Sequence, residues 1–238
     1  MLRSRPIKYE ADALHMSGEL FYDEAAKSLR PGVLVFPEGN GLSPYVKSRA
    51  SQLAQLGYAA LACDLHGNGA VHNDVAEMSR LLMPLFDDPS RIRARSTAAL
   101  NALMTSSEVE PTKIAAIGYC FGGTMALELA RSGANILAAA GFHSGVKTKQ
   151  PDDARNIRCK ILVCLGAKDV VVPAEERAAF EREMSAGNVD WPMHIFGRAA
   201  HSFTNPNVAE LKLEYARYDR ISDVRSWSLL MQLLDEVF

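Results

Sequence analysis

The sequence predicts a three-layer α/β fold, in which a mostly parallel central sheet carries helices on both faces and antiparallel strands at its N-terminal edge. Two observations indicate this fold. Short apolar runs rich in β-branched residues alternate with longer segments of helical periodicity, which is typical of βαβ units. The 238 residues contain no compositional break or internal repeat, so we expect residues 1–238 to form a single domain.

The predicted elements follow one another in a regular order. Two weaker segments, residues 7–9 and 14–21, come first, and we expect them to be the antiparallel edge strands. A predicted loop at residues 23–30 follows them. The remaining strands are predicted at residues 33–36, 58–63, 113–117, 136–142, 161–166 and 193–196, and the helices at residues 44–56, 91–105, 121–131, 174–185 and 219–237.

Residues 64–90 do not follow this alternation. The sequence HGNG at residues 66–69 is typical of a turn, whereas residues 78–86 are densely apolar. Two interpretations stay open for this segment. It forms either a short helix packed on the core or a cap that crosses the mouth of the site and contacts substrate.

Composition excludes several classes of function. The net charge is −2, so the chain lacks the basic surface that nucleic acid or anionic lipid would require. No run of 18 apolar residues and no export signal occurs, and we expect a cytoplasmic protein that does not enter membranes. The four cysteines are then expected to be reduced, and neither they nor His66 and His72 have zinc-ligand spacing. We predict no metal and no cofactor.

The hexapeptide GYCFGG at residues 118–123 joins a strand-like run to a helix-like run. A sharp strand-to-helix bend of this type presents a nucleophile at its apex, and here the apex residue is Cys120. A free thiol is only a few per cent ionised at neutral pH. Lowering its pKa by about 2 units requires roughly 2.7 kcal/mol, whereas a helix dipole at the surface supplies about 0.3 to 1 kcal/mol. Cys120 therefore needs a basic partner.

His201 is the best-placed partner, because its loop follows the last predicted strand and reaches the carboxyl edge of the sheet. Asp169 ends the strand at residues 161–166 and would orient the imidazole. The order nucleophile, acid, histidine is that of the α/β-hydrolases. A non-catalytic interpretation also stays open for each residue. His201 would then be a structural loop histidine, and Asp169 a helix N-cap or a solvated acid. For an oxyanion hole, we predict the N–H groups of Phe121 and Gly39.

At this point the chain resembles the dienelactone hydrolase family. The resemblance rests on FPE at residues 36–38, GY at 57–58 leading to Asp64, GYCFGG at 118–123, FH at 142–143, GAKD at 166–169 and AHSF at 200–203. It implies a cysteine hydrolase with Cys120, Asp169 and His201 as its triad, and a carboxylate at Glu38 that interacts with the resting thiol.

The chain also departs from the family pattern. The resemblance implies an arginine that holds a substrate carboxylate four residues after the catalytic histidine, where this chain has Asn205. Arg80 is the candidate for a substrate contact in its place, with a solvated arginine on a helix face as the alternative.

We therefore expect a hydrolase that cleaves an activated carboxylic ester, such as a lactone or enol ester, through a thioester on Cys120. Its partner is a small-molecule ester, not nucleic acid or a membrane. Two alternatives stay open. One is a broader carboxylesterase or thioesterase on the same triad, and the other is a non-catalytic binding or scaffold protein that retains the fold.

Overall fold

The structure is a computed structural model that describes residues 1–25 and 28–238. Its strands form one mixed sheet with helices on both faces, which confirms the predicted three-layer α/β-hydrolase fold. Two of the predicted loop residues at 23–30, residues 26 and 27, lie outside the described residues. The strands are β1 (Leu2–Ala11), β2 (Leu14–Asp23), β3 (Arg30–Phe36), β4 (Ala59–Ala62), β5 (Val109–Tyr119), β6 (Ala138–Phe142), β7 (Lys160–Gly166) and β8 (Met193–Phe196).

The α-helices are α1 (Pro44–Gln55), α2 (Val75–Asp87), α3 (Pro89–Met104), α4 (Phe121–Arg131), α5 (Ala174–Ala186) and α6 (Arg220–Val237). Two 3₁₀-helices span Pro151–Asn156 and Val208–Leu211. The sheet order is β1-β2-β4-β3-β5-β6-β7-β8, with every pair from β4 to β8 parallel. Among the described residues, no helix is long and apolar enough to cross a lipid bilayer.

The N-terminal strands are antiparallel to their neighbours, as predicted, but β1 is longer than the predicted residues 7–9. It pairs with β2 over its whole length, from Leu2 opposite Asp23 to Ala11 opposite Leu14. Only Ile7 of this strand is buried. Backbone pairing rather than burial therefore defines β1, and hydrophobic pattern alone detects only its most buried part.

The core has one layer on each face of the sheet, because successive side chains of a strand point to opposite faces. Within β3, Leu34 and Phe36 pack with α3, α4 and α5, whereas Val33 and Val35 pack with α1 and α6. The interior strands are buried on both faces, which explains why they appear in the sequence as continuous apolar runs.

Residues 64–90 combine a tight loop with α2. The Asp64 carboxylate accepts backbone N–H groups from Ser17 at 2.8 Å, Gly67 at 3.0 Å and Gly69 at 2.7 Å, and so holds the loop against β2. The helix that follows begins at an Asp74 cap, whose carboxylate accepts the Glu77 N–H at 2.8 Å. This helix crosses the carboxyl edge of the sheet, where it packs on the core and also lines cavities. The segment therefore forms a short helix packed on the core that also lies at the cavities, and contact with substrate stays a prediction.

Candidate active site

Cys120 occupies the bend between β5 and α4 in a conformation that side chains rarely adopt. Its φ is 54° and its ψ is −119°. A non-glycine residue in such a conformation costs about 1 to 3 kcal/mol and persists only where neighbouring contacts hold it. Two backbone hydrogen bonds do so: the Cys120 N–H donates to the Phe142 carbonyl at 2.9 Å, and its carbonyl accepts the Gly123 N–H at 3.1 Å.

The glycines after Cys120 are required by close approach. A Cβ at Gly122 would lie 2.3 Å from the Phe36 carbonyl oxygen, and one at Gly123 would lie 1.6 Å from Ser144 Oγ. The start of α4 is therefore pressed against the carboxyl ends of β3 and β6. This packing places the first N–H groups of the helix beside the thiol.

The three predicted triad residues lie together at the carboxyl edge of the sheet. Cys120 Sγ is 3.1 Å from His201 Nε2, and His201 Nδ1 is 2.8 Å from Asp169 Oδ2. His201 and Asp169 are buried, whereas Cys120 is partly exposed. The second carboxylate oxygen of Asp169 accepts the Val171 N–H at 2.9 Å, which fixes the orientation of the acid. Asp169 is thus a buried partner of His201 and not a solvated loop acid.

The surroundings of His201 favour its charged form. Burial by itself lowers the pKa of this imidazole, but the charge of Cys120 and the hydrogen bond to Asp169 outweigh it and raise the pKa from 6.5 to about 10. The raised pKa favours an imidazolium at His201, between a carboxylate and the sulfur, and such an arrangement stabilises a thiolate.

Both predicted oxyanion donors lie beside Cys120. Within the described residues, neither the Phe121 N–H nor the Gly39 N–H has a hydrogen-bond acceptor. The Gly39 carbonyl contacts His66 Nε2 at 2.8 Å, which anchors the loop after β3 from its far side. Free donors at a helix N-terminus and in an anchored loop can stabilise a developing negative charge.

Glu38 lies at the same edge, with its two oxygens already hydrogen-bonded. Ser202 Oγ donates to Oε1 at 2.7 Å, and Asn205 Nδ2 donates to Oε2 at 2.5 Å. Burial raises the pKa of this carboxyl, although both hydrogen bonds act in the opposite direction. The thiol meanwhile faces His201. In this conformation Glu38 therefore holds the loop that carries His201.

A buried polar layer lies beneath the triad, and nothing in the sequence pattern indicates it. His143 Nε2 is 2.7 Å from Thr204 Oγ1, which in turn is 2.5 Å from the Tyr45 hydroxyl. The Arg49 guanidinium donates to the Thr204 carbonyl at 2.7 Å. The His143 ring packs edge-on against the His201 ring at 5.4 Å, so this layer supports the His201 imidazole from below.

Two cavities meet at Cys120 and His201. The larger cavity, about 470 Å³, runs along α4 and residues 145–149, and the smaller cavity, about 250 Å³, lies between α2 and the Glu38 loop. Leu82, Phe86 and Tyr215 line both of them. The dense apolar run at residues 78–86 indicates the first two of these, but Tyr215 stands alone in its segment and sequence reasoning misses it.

Arg80 is the one predicted site residue that the structure does not bring to this group. It lies on the exposed face of α2 and lines neither cavity next to Cys120. Helical periodicity explains the separation, because Ser79, Leu82 and Met83 occupy the inner face of the same helix.

Comparison with known proteins gives a consistent result over nearly the whole chain. The sequence profile of the dienelactone hydrolase family matches residues 18–238. Among characterised sequences, the carboxymethylenebutenolidase of Pseudomonas sp. strain P51 is 27% identical over 197 residues, which are 81% of this chain and 82% of the enzyme.

Two solved structures superpose on the full chain. A protein designated m3DLH is 43% identical with a TM-score of 0.96, covering 100% of this chain and 99% of its own. A dienelactone hydrolase-like promiscuous phosphotriesterase from metagenomic libraries is 40% identical with a TM-score of 0.95, again covering 100% and 99%.

Proposed function

The chain belongs to the dienelactone hydrolase family, a family of carboxylic ester hydrolases, and from this premise we propose that it cleaves activated esters through a thioester on Cys120. Lactones and enol esters are the proposed substrates. The observation that carries the proposal is the unbroken contact from Cys120 Sγ to His201 Nε2 at 3.1 Å and from His201 Nδ1 to Asp169 at 2.8 Å. It lies where two cavities large enough for a small ester meet.

Acylation begins from the thiolate and imidazolium pair. The Cys120 thiolate attacks the ester carbonyl and forms a C–S bond, while the carbonyl oxygen becomes an oxyanion held by the Phe121 and Gly39 N–H groups. The oxyanion then collapses, the ester C–O bond breaks, and the leaving alkoxide takes the proton from His201. This leaves a thioester and a neutral imidazole.

Deacylation restores the starting state. His201 takes a proton from water, and the hydroxide attacks the thioester carbonyl. The C–S bond breaks, the thiolate leaves, and the carboxylic acid product is released beside a regenerated imidazolium. Asp169 keeps the imidazole in one orientation and stabilises its charge through both steps. Each cycle consumes one ester and one water, and no dissociable cofactor takes part.

Glu38 has a positioning role in this scheme. Through Ser202 and Asn205 it holds the segment that follows His201, so it sets the distance between imidazole and thiolate. Glu38 lines the smaller cavity together with Cys120, and we propose that it also interacts with the thiol in a resting state, as the family resemblance implies. We also propose that residues 1–238 form one domain, since both core layers draw on strands and helices from the two halves of the chain.

A second candidate activity is hydrolysis of phosphotriesters on the same nucleophile. It is suggested by the relative at 40% identity whose name includes promiscuous phosphotriesterase. The site favours it in one respect, because cavities open on both sides of Cys120 and leave room for a tetrahedral phosphorus with several substituents.

Intact-mass spectrometry after brief exposure to a lactone, an aryl ester, an acyl thioester and an aryl phosphotriester tests these assignments. We expect an acyl adduct on the wild-type protein and on Cys164→Ala, a matched cysteine control, and no adduct on Cys120→Ala. In His201→Ala the adduct should form more slowly, because the thiol has lost its partner, and any adduct that forms should persist, because deacylation has lost its base. An adduct of equal yield on Cys120→Ala would remove this thiol from the mechanism. Turnover of the thioester alone would favour a thioesterase, and no adduct with any substrate would favour a non-catalytic protein.

A further inference from the structure

We propose that the smaller cavity receives an uncharged, apolar group of the ester and rejects a group that carries a carboxylate. This assignment rests on the proposed ester hydrolysis at Cys120. It follows from what lines the cavity, from how its one acidic side chain is bonded, and from its contrast with the larger cavity.

The wall of the smaller cavity is apolar on two sides. Met78, Leu82 and Phe86, spaced four residues apart, form a stripe along the inner face of α2. Leu211 and Leu213 form the opposite side, with Tyr215 at the boundary with the larger cavity. An apolar substrate group placed here leaves water for an apolar surface, which is favourable in proportion to the area buried.

The polar groups of the wall are unsuited to an anion. Glu38 is its only acidic residue, and both carboxylate oxygens accept hydrogen bonds from Ser202 and Asn205. Asn40 is buried and its Oδ1 has no partner among the described residues. A substrate carboxylate would meet acceptors, and burying an ion without a partner is costly.

No lysine or arginine of the described chain lines this cavity. The charged imidazole of His201 is shared with the thiolate and with Asp169 at 2.8 Å, so it is already balanced. Among the described residues, the cavity therefore offers an anion no cation other than this shared imidazole.

The larger cavity differs in this respect. Its wall holds charged side chains of both signs, Lys147 and Lys149 together with Asp87, Glu128 and Glu176, and the hydroxyl groups of Thr124 and Thr148. Lys149 is paired with Asp87 and Glu128 with Arg93, whereas Lys147 is exposed and has no ion pair among the described residues. A polar or hydrated part of a substrate is thus better accommodated on the side of α4, where a lysine is available, and the apolar part on the side of α2.

The volume sets the size of the group. An apolar cavity of about 150 Å³ is enough to hold benzene. The smaller cavity, at about 250 Å³, accommodates a single substituted aromatic ring or a short branched alkyl chain. Met83 and Phe86 are exposed by 53% and 45%, so a longer chain would emerge past them into solvent.

Four aryl benzoate esters test the assignment. Two carry a carboxylate, one on the acyl ring and one on the alcohol ring, and the other two carry a methyl group at the same positions. We expect the carboxylate to lower kcat/KM at least 100-fold on one of the two rings, the one that enters the smaller cavity, and less than tenfold on the other. Equal tolerance of both carboxylates, within threefold, would overturn the assignment.

A positive charge introduced into the wall of the smaller cavity tests whether the penalised carboxylate enters this cavity. Met83→Arg places a guanidinium at the exposed rim, where a long side chain can reach inward while its variant still folds. We expect it to reduce the carboxylate penalty at least tenfold, and the matched neutral variant Met83→Gln to leave it within threefold of wild type. Equal effects of the two variants would contradict the placement.

Binding separates this inference from the chemistry. Calorimetry of the four esters with Cys120→Ala measures affinity without turnover, and the same ring-specific penalty of at least tenfold in Kd is expected. If wild type hydrolyses none of the esters while this pattern persists, the proposed reaction fails and the cavity assignment stands. If hydrolysis proceeds but Kd is indifferent to the carboxylates, the assignment fails and the reaction stands.

Discussion

The bend at Cys120 and the strand interior at Cys164 use the same side chain in opposite ways. Cys63 and Cys164 lie fully buried in apolar surroundings, and burial raises the pKa of both thiols, that of Cys164 to about 12. Cys120 lies at the end of β5, partly exposed, against a charged imidazole and a helix N-terminus. The sites therefore differ in burial and in the charged groups beside the thiol, which are the factors that control thiol reactivity.

The two regions also differ in backbone conformation. The strand interiors are regular, whereas the loops at their carboxyl ends contain Cys120, His143 and Ser202 with φ values of 54°, 43° and 51°. Such conformations cost free energy and need rigid surroundings. The regular sheet supplies that rigidity, and the loops use it to aim side chains at one point.

The largest expected difference between the two regions is in catalysis. Cys120→Ala should lower kcat/KM for an activated aryl ester by at least about 10⁴-fold, because it removes the atom that forms the covalent bond. Cys164→Ala should stay within threefold of wild type. Steady-state assays on both variants measure this contrast, with circular dichroism to establish that each is folded. A comparable loss in the two variants would break the comparison.

The next effect concerns the loop that carries His201. Glu38→Gln keeps the shape but removes the charge that Ser202 and Asn205 bind, and hydrogen bonds to charged groups contribute about 1.5 to 3 kcal/mol. We expect kcat to fall about tenfold to 100-fold with the unfolding midpoint changed by only a few degrees.

Ser202→Ala is the companion variant for this prediction. It deletes one of the two donors and should cause a smaller loss than Glu38→Gln. Unchanged kcat in Glu38→Gln would show that this carboxylate has no part in placing the imidazole.

The pH dependence of kcat/KM should show where His201 loses its proton. The pKa of His201 is raised from 6.5 to about 10, so its charge persists through neutral pH and is lost as the pH rises through about 10. The contribution of this raised pKa to the free energy of unfolding is complete below pH 6.5 and is lost as the pH rises through about 10. We expect kcat/KM to decline about tenfold per pH unit above pH 10, because the proton donor to the leaving group disappears.

Nuclear magnetic resonance of His201 gives a direct check. In Cys120→Ala the charge that raises the pKa is absent while the burial that lowers it remains, so the imidazole should titrate at a lower pH than in wild type. A His201 titration that is the same in both proteins would contradict the ion pair.

The smallest effect lies in the strand interior. Cys164→Ser buries a hydroxyl in an apolar layer of the sheet, which costs about 1 to 3 kcal/mol without a hydrogen bond. Cys120→Ser, at a partly exposed site, should change stability by less than about 0.5 kcal/mol. Urea unfolding of the two variants tests this, and equal destabilisation would mean that the two positions are equally buried in solution.

Much of this molecule could be predicted because its signals are local. The hexapeptide at residues 118–123 predicts a bend, and α4 begins at Phe121 as predicted, whereas β5 runs from Val109 to Tyr119 and so extends beyond the predicted residues 113–117 at both ends. Asp169 and His201 follow strands that end at one edge of the sheet, so their convergence follows from parallel topology. By contrast, the charge of Arg80 predicts a substrate contact, but helical phase places this residue on the outside of α2.

The amino-acid sequence by itself determined the order of strands and helices, the cysteine at the bend, and the loops that carry its partners, because periodicity and turn residues act over a few positions. Only the tertiary structure decided that Glu38 is bonded by Asn205, that Thr204 links His143 to Tyr45, and that no lysine or arginine of the described residues lines one cavity beside Cys120. These contacts join residues more than 60 positions apart. They depend on how packed elements meet, which no local pattern encodes.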